Sequence, residues 1–112
     1  MAGYFAVNSD SEFSMSSVYF DAIVNYSKVY LEEMSMELTK EIYEPIEEAG
    51  MFVVGLTETS PEDFKLIFKA LKKGYESSLA EGKCGNLEQS LYSDVMNMWK
   101  DILSAMERDE RR

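Results

Sequence analysis

Residues 31–50, LEEMSMELTKEIYEPIEEAG, carry the densest run of charge in this 112-residue chain, and their reading decides the helical framework. Each residue of an α-helix advances by roughly 100°. Tyr26, Tyr30, Glu33, Glu37, Glu41, Glu44 and Glu48 therefore align on one stripe, at spacings of 4, 3, 4, 4, 3 and 4. A second stripe, Phe20, Val24, Leu31, Leu38, Ile42 and Ala49, is apolar, and a third set, Val18, Ala22, Val29, Met36 and Tyr43, lies on another side. The pattern predicts one long helix from about 17 to 44, central in the fold because it offers two apolar faces. Pro45 lacks an N–H for the Glu41 carbonyl and biases Glu44 away from helical angles, so a kink or break is expected near Glu44, with Gly50 as the stop.

Outward from this stretch, GYFAVN at 3–8 suits an edge strand, and NSDSEFSMSS at 8–17 suits a serine-rich turn. The apolar run MFVVGL at 51–56 is of strand length, and residues 4–7 are its natural partner. Ser60-Pro61-Glu62-Asp63 is the clearest boundary: an N-cap serine, an N1 proline and two acids in the positive first turn start a helix near 61–80. Gly74 is a weak point within it. Asn86 and Gln89 form a candidate capping pair for a last helix near 87–108, which bears Leu87, Leu91, Val95, Met98 and Ile102 on one face and Tyr92, Met96, Trp99, Leu103 and Met106 on another. The tail ERDERR is expected to fray. The expected fold is thus mainly α in a single domain over 1–112: a three-helix core with a small two-stranded β element, α+β if that element forms.

Composition restricts the function classes. Hydrophobic residues make up 46% and charged residues 29%, as in globular proteins. One cysteine, Cys84, excludes an internal disulfide, and the absence of histidine excludes Cys–His nucleophilic catalysis and the Glu-x-x-His motif of di-iron bundles. Cys84 falls in a glycine-flanked turn beside Lys83, where an ammonium can lower a thiol pKa; an incidental free thiol is the simpler reading. There is neither a signal-peptide pattern nor a bilayer-length apolar run, so the expectation is a cytoplasmic protein with no membrane partner. No cofactor motif or metal site is recognised, and no catalytic set, so the expectation is not an enzyme.

The net charge of −10 is uneven: residues 1–60 carry eleven acids against Lys28 and Lys40, whereas residues 61–112 carry ten acids against nine bases. Such a field disfavours direct contact with nucleic acid and attracts a basic protein partner. Like charges at i,i+4 cost a helix about 0.2–0.5 kcal/mol per pair, and Glu33/Glu37, Glu37/Glu41 and Glu44/Glu48 are three such pairs. A solvated helix face is one reading, carboxylate binding of a hard cation another. The third is a recognition surface in which Tyr26 and Tyr30 anchor and Glu33, Glu37, Glu41, Glu44 and Glu48 steer.

By physical analogy, a small acidic protein with a Tyr–Glu surface is similar to immunity proteins and nucleic-acid mimics that block cationic toxins or nucleases. The function expected on this basis is a non-enzymatic inhibitor that masks a basic partner. The alternative is a chaperone or adaptor that offers Tyr92, Met96, Trp99 and Leu103 of the last helix to a client, or a homodimer built on that same face.

Overall fold

The alternation of large and small side chains at the N-terminus resolves into a hairpin. In the computed structural model, which describes residues 2–84 and 87–111, β1 (Ala2–Asn8) pairs antiparallel with β2 (Ser11–Ser16). The intervening Ser9-Asp10 turn is closed by the Asp10 N–H, which donates to Asn8 Oδ1 at 2.9 Å. Phe13 and Met15 lie opposite Phe5 and Gly3 and turn inward, while Glu12, Ser14 and Ser16 stay exposed. The serine-rich segment is therefore a strand. Ser14 and Ser16 are on the wet side with Glu12, which hides a period-two pattern carried by only two apolar residues.

On its other side β1 pairs in parallel with β3 (Val53–Gly55), through Tyr4 with Val53, Phe5 with Val54 and Ala6 with Gly55. The expected pairing of 4–7 with 51–56 forms, but in a three-stranded sheet of order β2-β1-β3, so β1 is central and not an edge.

The long helix is two helices. α1 (Ser17–Met34) begins at the Ser16 cap, whose Oγ accepts from Tyr19 N–H at 3.3 Å. It ends at Ser35, which is extended at φ −161° and ψ 108°. Ser35 both stops one helix and starts the next. Its N–H donates to the Leu31 carbonyl at 2.8 Å, its Oγ accepts from Leu38 N–H at 3.2 Å, and its carbonyl accepts from Thr39 Oγ1 at 2.7 Å. α2 (Met36–Ala49) then folds back along α1: Lys28 Nζ pairs with Glu47 and lies 6.0 Å from the centroid of the Tyr43 ring. In one continuous helix those two residues would stand about 28 Å apart.

Pro45 does not break α2. It occupies an exposed position where water can meet the Glu41 carbonyl, and the helix runs on to Gly50, a left-handed cap at φ 66°. The expected three-helix core is thus corrected to four helices on a three-stranded sheet, with the break at Ser35 and not beside Pro45.

α3 (Pro61–Glu81) starts as the sequence predicts, with Ser60 Oγ accepting from Asp63 N–H at 3.2 Å. It runs through Gly74 because the glycine is a contact point. A Cβ there would stand 3.0 Å from Trp99 Cζ2 and 3.2 Å from the Tyr26 carbonyl, so α1, α3 and α4 meet where side chains are smallest. α4 (Gln89–Glu107) is preceded by Glu88, which makes no side-chain capping bond; the Asn86 half of the expected capping pair lies outside the described residues.

Trp99, fully buried, is the hub of the helical layer, with edge-on contacts to Tyr75 at 5.7 Å and Tyr26 at 6.3 Å between ring centroids. Phe5, Val7, Phe20, Ile23, Leu56 and Phe64 fill the space between helices and sheet. Of the two apolar faces expected to make the first helix central, the Phe20–Val24–Leu31 face is buried. The other is split: Val18, Val29 and Met36 are each more than half exposed, whereas Ala22 is half-buried and Tyr43 buried.

The C-terminal residues close back on this core. The Arg111 guanidinium lies 4.3 Å from the Phe64 ring centroid and donates to the carbonyls of Val7 at 2.8 Å, Thr59 at 3.0 Å and Leu56. It is held by Asp109, which also accepts from Asn8 Nδ2 at 2.9 Å. Through residue 111 the tail is anchored where fraying was expected.

Candidate partner-binding surface

The break at Ser35 redistributes the Tyr–Glu residues. Tyr26 and Tyr30 remain on α1 and face α3: they line a groove of about 330 Å³ with Val29, Ser77 and Glu81. Tyr26 Oη donates to Glu81 Oε2 at 2.6 Å. Both tyrosines are half-buried, packed at one edge against the core.

Glu44 and Glu48 line a separate cleft of about 230 Å³ between α1 and α2, with Lys28, Glu32, Lys40 and Tyr43 on its walls. Tyr43 is buried there. Its phenol is held well above the ordinary tyrosine range, first by burial and then by the charges of Glu32 and Glu47, so it stays neutral and its ring faces Lys28.

Glu41 points to a third place. It lines a groove of about 400 Å³ with Leu38 and Ile42 of α2, Gly55 of β3, and Glu58, Thr59, Ser60 and Asp63. Glu33 and Glu37 are exposed and line none of these three cavities. The reversal of chain direction thus divides the seven residues, and the Glu33/Glu37 repulsion is interrupted by Ser35; two i,i+4 repulsions remain within α2.

What the fold does gather is acid around α2. Residues 32–63 contain ten carboxylates against Lys40 alone. Glu37, Glu41, Glu44, Glu47 and Glu48 are all exposed on α2, and of these five only Glu47 is in an ion pair among the described residues. Glu58 and Asp63, absent from the stripe, join Glu41 across the groove. Their acidity is plain in the sequence, but their proximity follows from α2 folding back, which no local spacing encodes. Among the described residues no group of three or more potential ligands could hold a metal ion, and no helix is long and apolar enough to cross a membrane.

The last-helix surface is core within the single chain. Trp99 is 0% exposed and Met96 5%, and Tyr92 and Leu103 are half-buried, with Tyr92 Oη donating to the Ser78 carbonyl at 3.3 Å. Cys84 is also buried, and burial pushes its thiol up, against the lowering that its neighbour Lys83 suggests; a hydrogen bond with Ser78 only partly offsets this.

No family model matches this sequence, and no curated protein matches it. Among solved structures, the chain is similar to one in the CdiA-CT toxin from Burkholderia pseudomallei E479 in complex with its cognate CdiI immunity protein, with a TM-score of 0.75 over 98% of each chain at 19% identity. At that identity the likeness establishes a shared fold: the hairpin, the parallel third strand and the four helices form an arrangement that another sequence also adopts.

Proposed function

We propose that this chain is a non-enzymatic inhibitor of the immunity type, which masks a toxin-like basic partner with the acidic side formed by α2 and the loop into α3. The observation that carries the reading is the end-to-end likeness of fold to a chain from a toxin–immunity complex. The charge distribution supports it independently, because a monomer selected for stability alone gains nothing from the repulsions Glu37/Glu41 and Glu44/Glu48.

Unpaired carboxylates on a rigid, capped helix act at two stages. Before contact they steer a cationic partner, an effect that reaches about 8 Å at physiological ionic strength. On contact they exchange water for lysine and arginine partners, and close charge pairs of this kind couple by about 1.5–7 kcal/mol. Masking requires no chemistry from the chain itself. It requires only that the surface be complementary and rigid, and the Ser35 cap, the Lys28–Glu47 pair and buried Tyr43 hold α2 in place.

Where a basic toxin or nuclease domain is encoded beside this chain, co-expression with that domain tests this. The wild-type chain is expected to restore growth, and the folded variant Glu37→Lys/Glu41→Lys is expected to protect poorly. Failure of the wild-type chain to protect would overturn the reading.

A further inference from the structure

β3 leaves an open hydrogen-bonding edge. The Tyr4 N–H donates to the Phe52 carbonyl at 2.9 Å and the Leu56 N–H donates to the Ala6 carbonyl at 2.8 Å. In a parallel ladder alternate residues face the same neighbour, so 52, 54 and 56 bond to β1 while the N–H and C=O groups of Val53 and Gly55 point away. No hydrogen bond joins those outward groups to another turn, loop or cap among the described residues. Nothing lies within 4 Å of where a Gly55 Cβ would stand, and Val53 is 44% exposed.

Edges of this kind are ordinarily blunted by short length, lysine, proline or a bulge; Val53-Val54-Gly55 is short, at three residues, but carries neither lysine nor proline and pairs with β1 in unbroken register. The surroundings specify what could dock. Leu38 and Ile42 of α2 give the adjoining groove an apolar wall, and Glu41, Glu58 and Asp63 give it three carboxylates, none in an ion pair among the described residues. Arg111, which backs the 56–59 loop, has its charge matched by Asp109.

We propose that the outward edge of β3 receives an extended, basic segment of the partner protein as a fourth strand, with backbone bonds to Val53 and Gly55 and lysine or arginine side chains against Glu41, Glu58 and Asp63. This rests on the inhibitor reading and gives it a docking mode. Main-chain pairing supplies affinity, and the carboxylates select cationic side chains over others.

The test uses a capped peptide that alternates lysine with valine and threonine, and follows amide exchange by NMR on the full chain. At saturation the Val53 and Gly55 amides are expected to exchange about tenfold more slowly, with the Val54 amide, already bonded to β1, unchanged. A glutamate version of the peptide should leave all three as they were. Val53→Pro removes an outward N–H and no bond to β1, a substitution edge strands tolerate, and it is expected to weaken peptide binding about tenfold, with Val53→Thr as the retaining control. No peptide binding, binding without protection at Val53 and Gly55, or full binding by folded Val53→Pro would each overturn the proposal. Protection against the toxin that survives Val53→Pro would overturn it while leaving the inhibitor reading intact, whereas a wild-type chain that never protects would overturn that reading itself.

Discussion

Arg111 shows how much of this small protein rests on single side chains. Its guanidinium joins β1, the loop after β3 and the C-terminal turn, and its partner Asp109 is 8% exposed at the side chain. Removing one member of a buried pair leaves the other charge and several carbonyls without partners, so Arg111→Met is expected to lower unfolding free energy by about 2–4 kcal/mol at pH 7, read by urea denaturation. The Asp109 carboxyl is held well below the usual carboxylate range, chiefly by the hydrogen bonds from Arg111 and then by that from Asn8, against an opposing effect of burial. A depressed folded pKa contributes stability above the unfolded value near ~4 and loses it as pH falls toward the folded value. Asp109→Asn is therefore expected to be less stable than wild type at pH 7 and to lose less between about pH 5 and pH 2. Cys84 is buried with its thiol pushed up, so it should react with a thiol reagent in native buffer far more slowly than in denaturant.

At the scale of elements, the decisive feature is the turn at Ser35. Ser35→Ala removes the Oγ cap of α2 and is expected to cost about 1 kcal/mol, measurable by thermal denaturation. Gly74→Ala pits a helix-propensity gain of up to about 1 kcal/mol against contacts of 3.0 and 3.2 Å with Trp99 and the Tyr26 backbone. The backbone contact cannot rotate away, so net destabilisation of about 1–2 kcal/mol is expected. These two sites also mark what was legible. The start of α3 could be read from Ser60, Pro61 and two acids because every determinant is local, and the pairing of 4–7 with 51–56 followed from one apolar run finding another. The Ser35 break could not be read, since Met34, Met36 and Leu38 all suit a helix and the contacts that fix the reversal, Lys28 to Glu47 and Tyr43, join residues far apart in sequence. Strand β2 was hidden by its exposed serines. Among the candidate residues, Glu37, Glu41, Glu44 and Glu48 are exposed, while the separation of Glu41 from Glu44 and Glu48 into two grooves, and the arrival of Glu58 and Asp63 beside Glu41, are properties of the tertiary fold.

For the whole molecule, helices cover one face of a short sheet, and the acid is concentrated around α2 and the β3–α3 loop and not spread evenly. Under the proposed inhibitor role this asymmetry would have a use: the Ser35 cap and the Lys28–Glu47 pair hold α2 in place, and α2 presents charge. Titration calorimetry between this chain and a basic toxin or nuclease domain, where one is encoded beside it, at about 50 mM and about 500 mM salt, tests most directly whether the acidic side is what the partner meets. Binding by the wild-type chain should weaken steeply with salt, and Glu37→Lys/Glu41→Lys should lose at least about tenfold in affinity at low salt together with much of that salt dependence. Equal affinity for the two proteins, unchanged by salt, would contradict it.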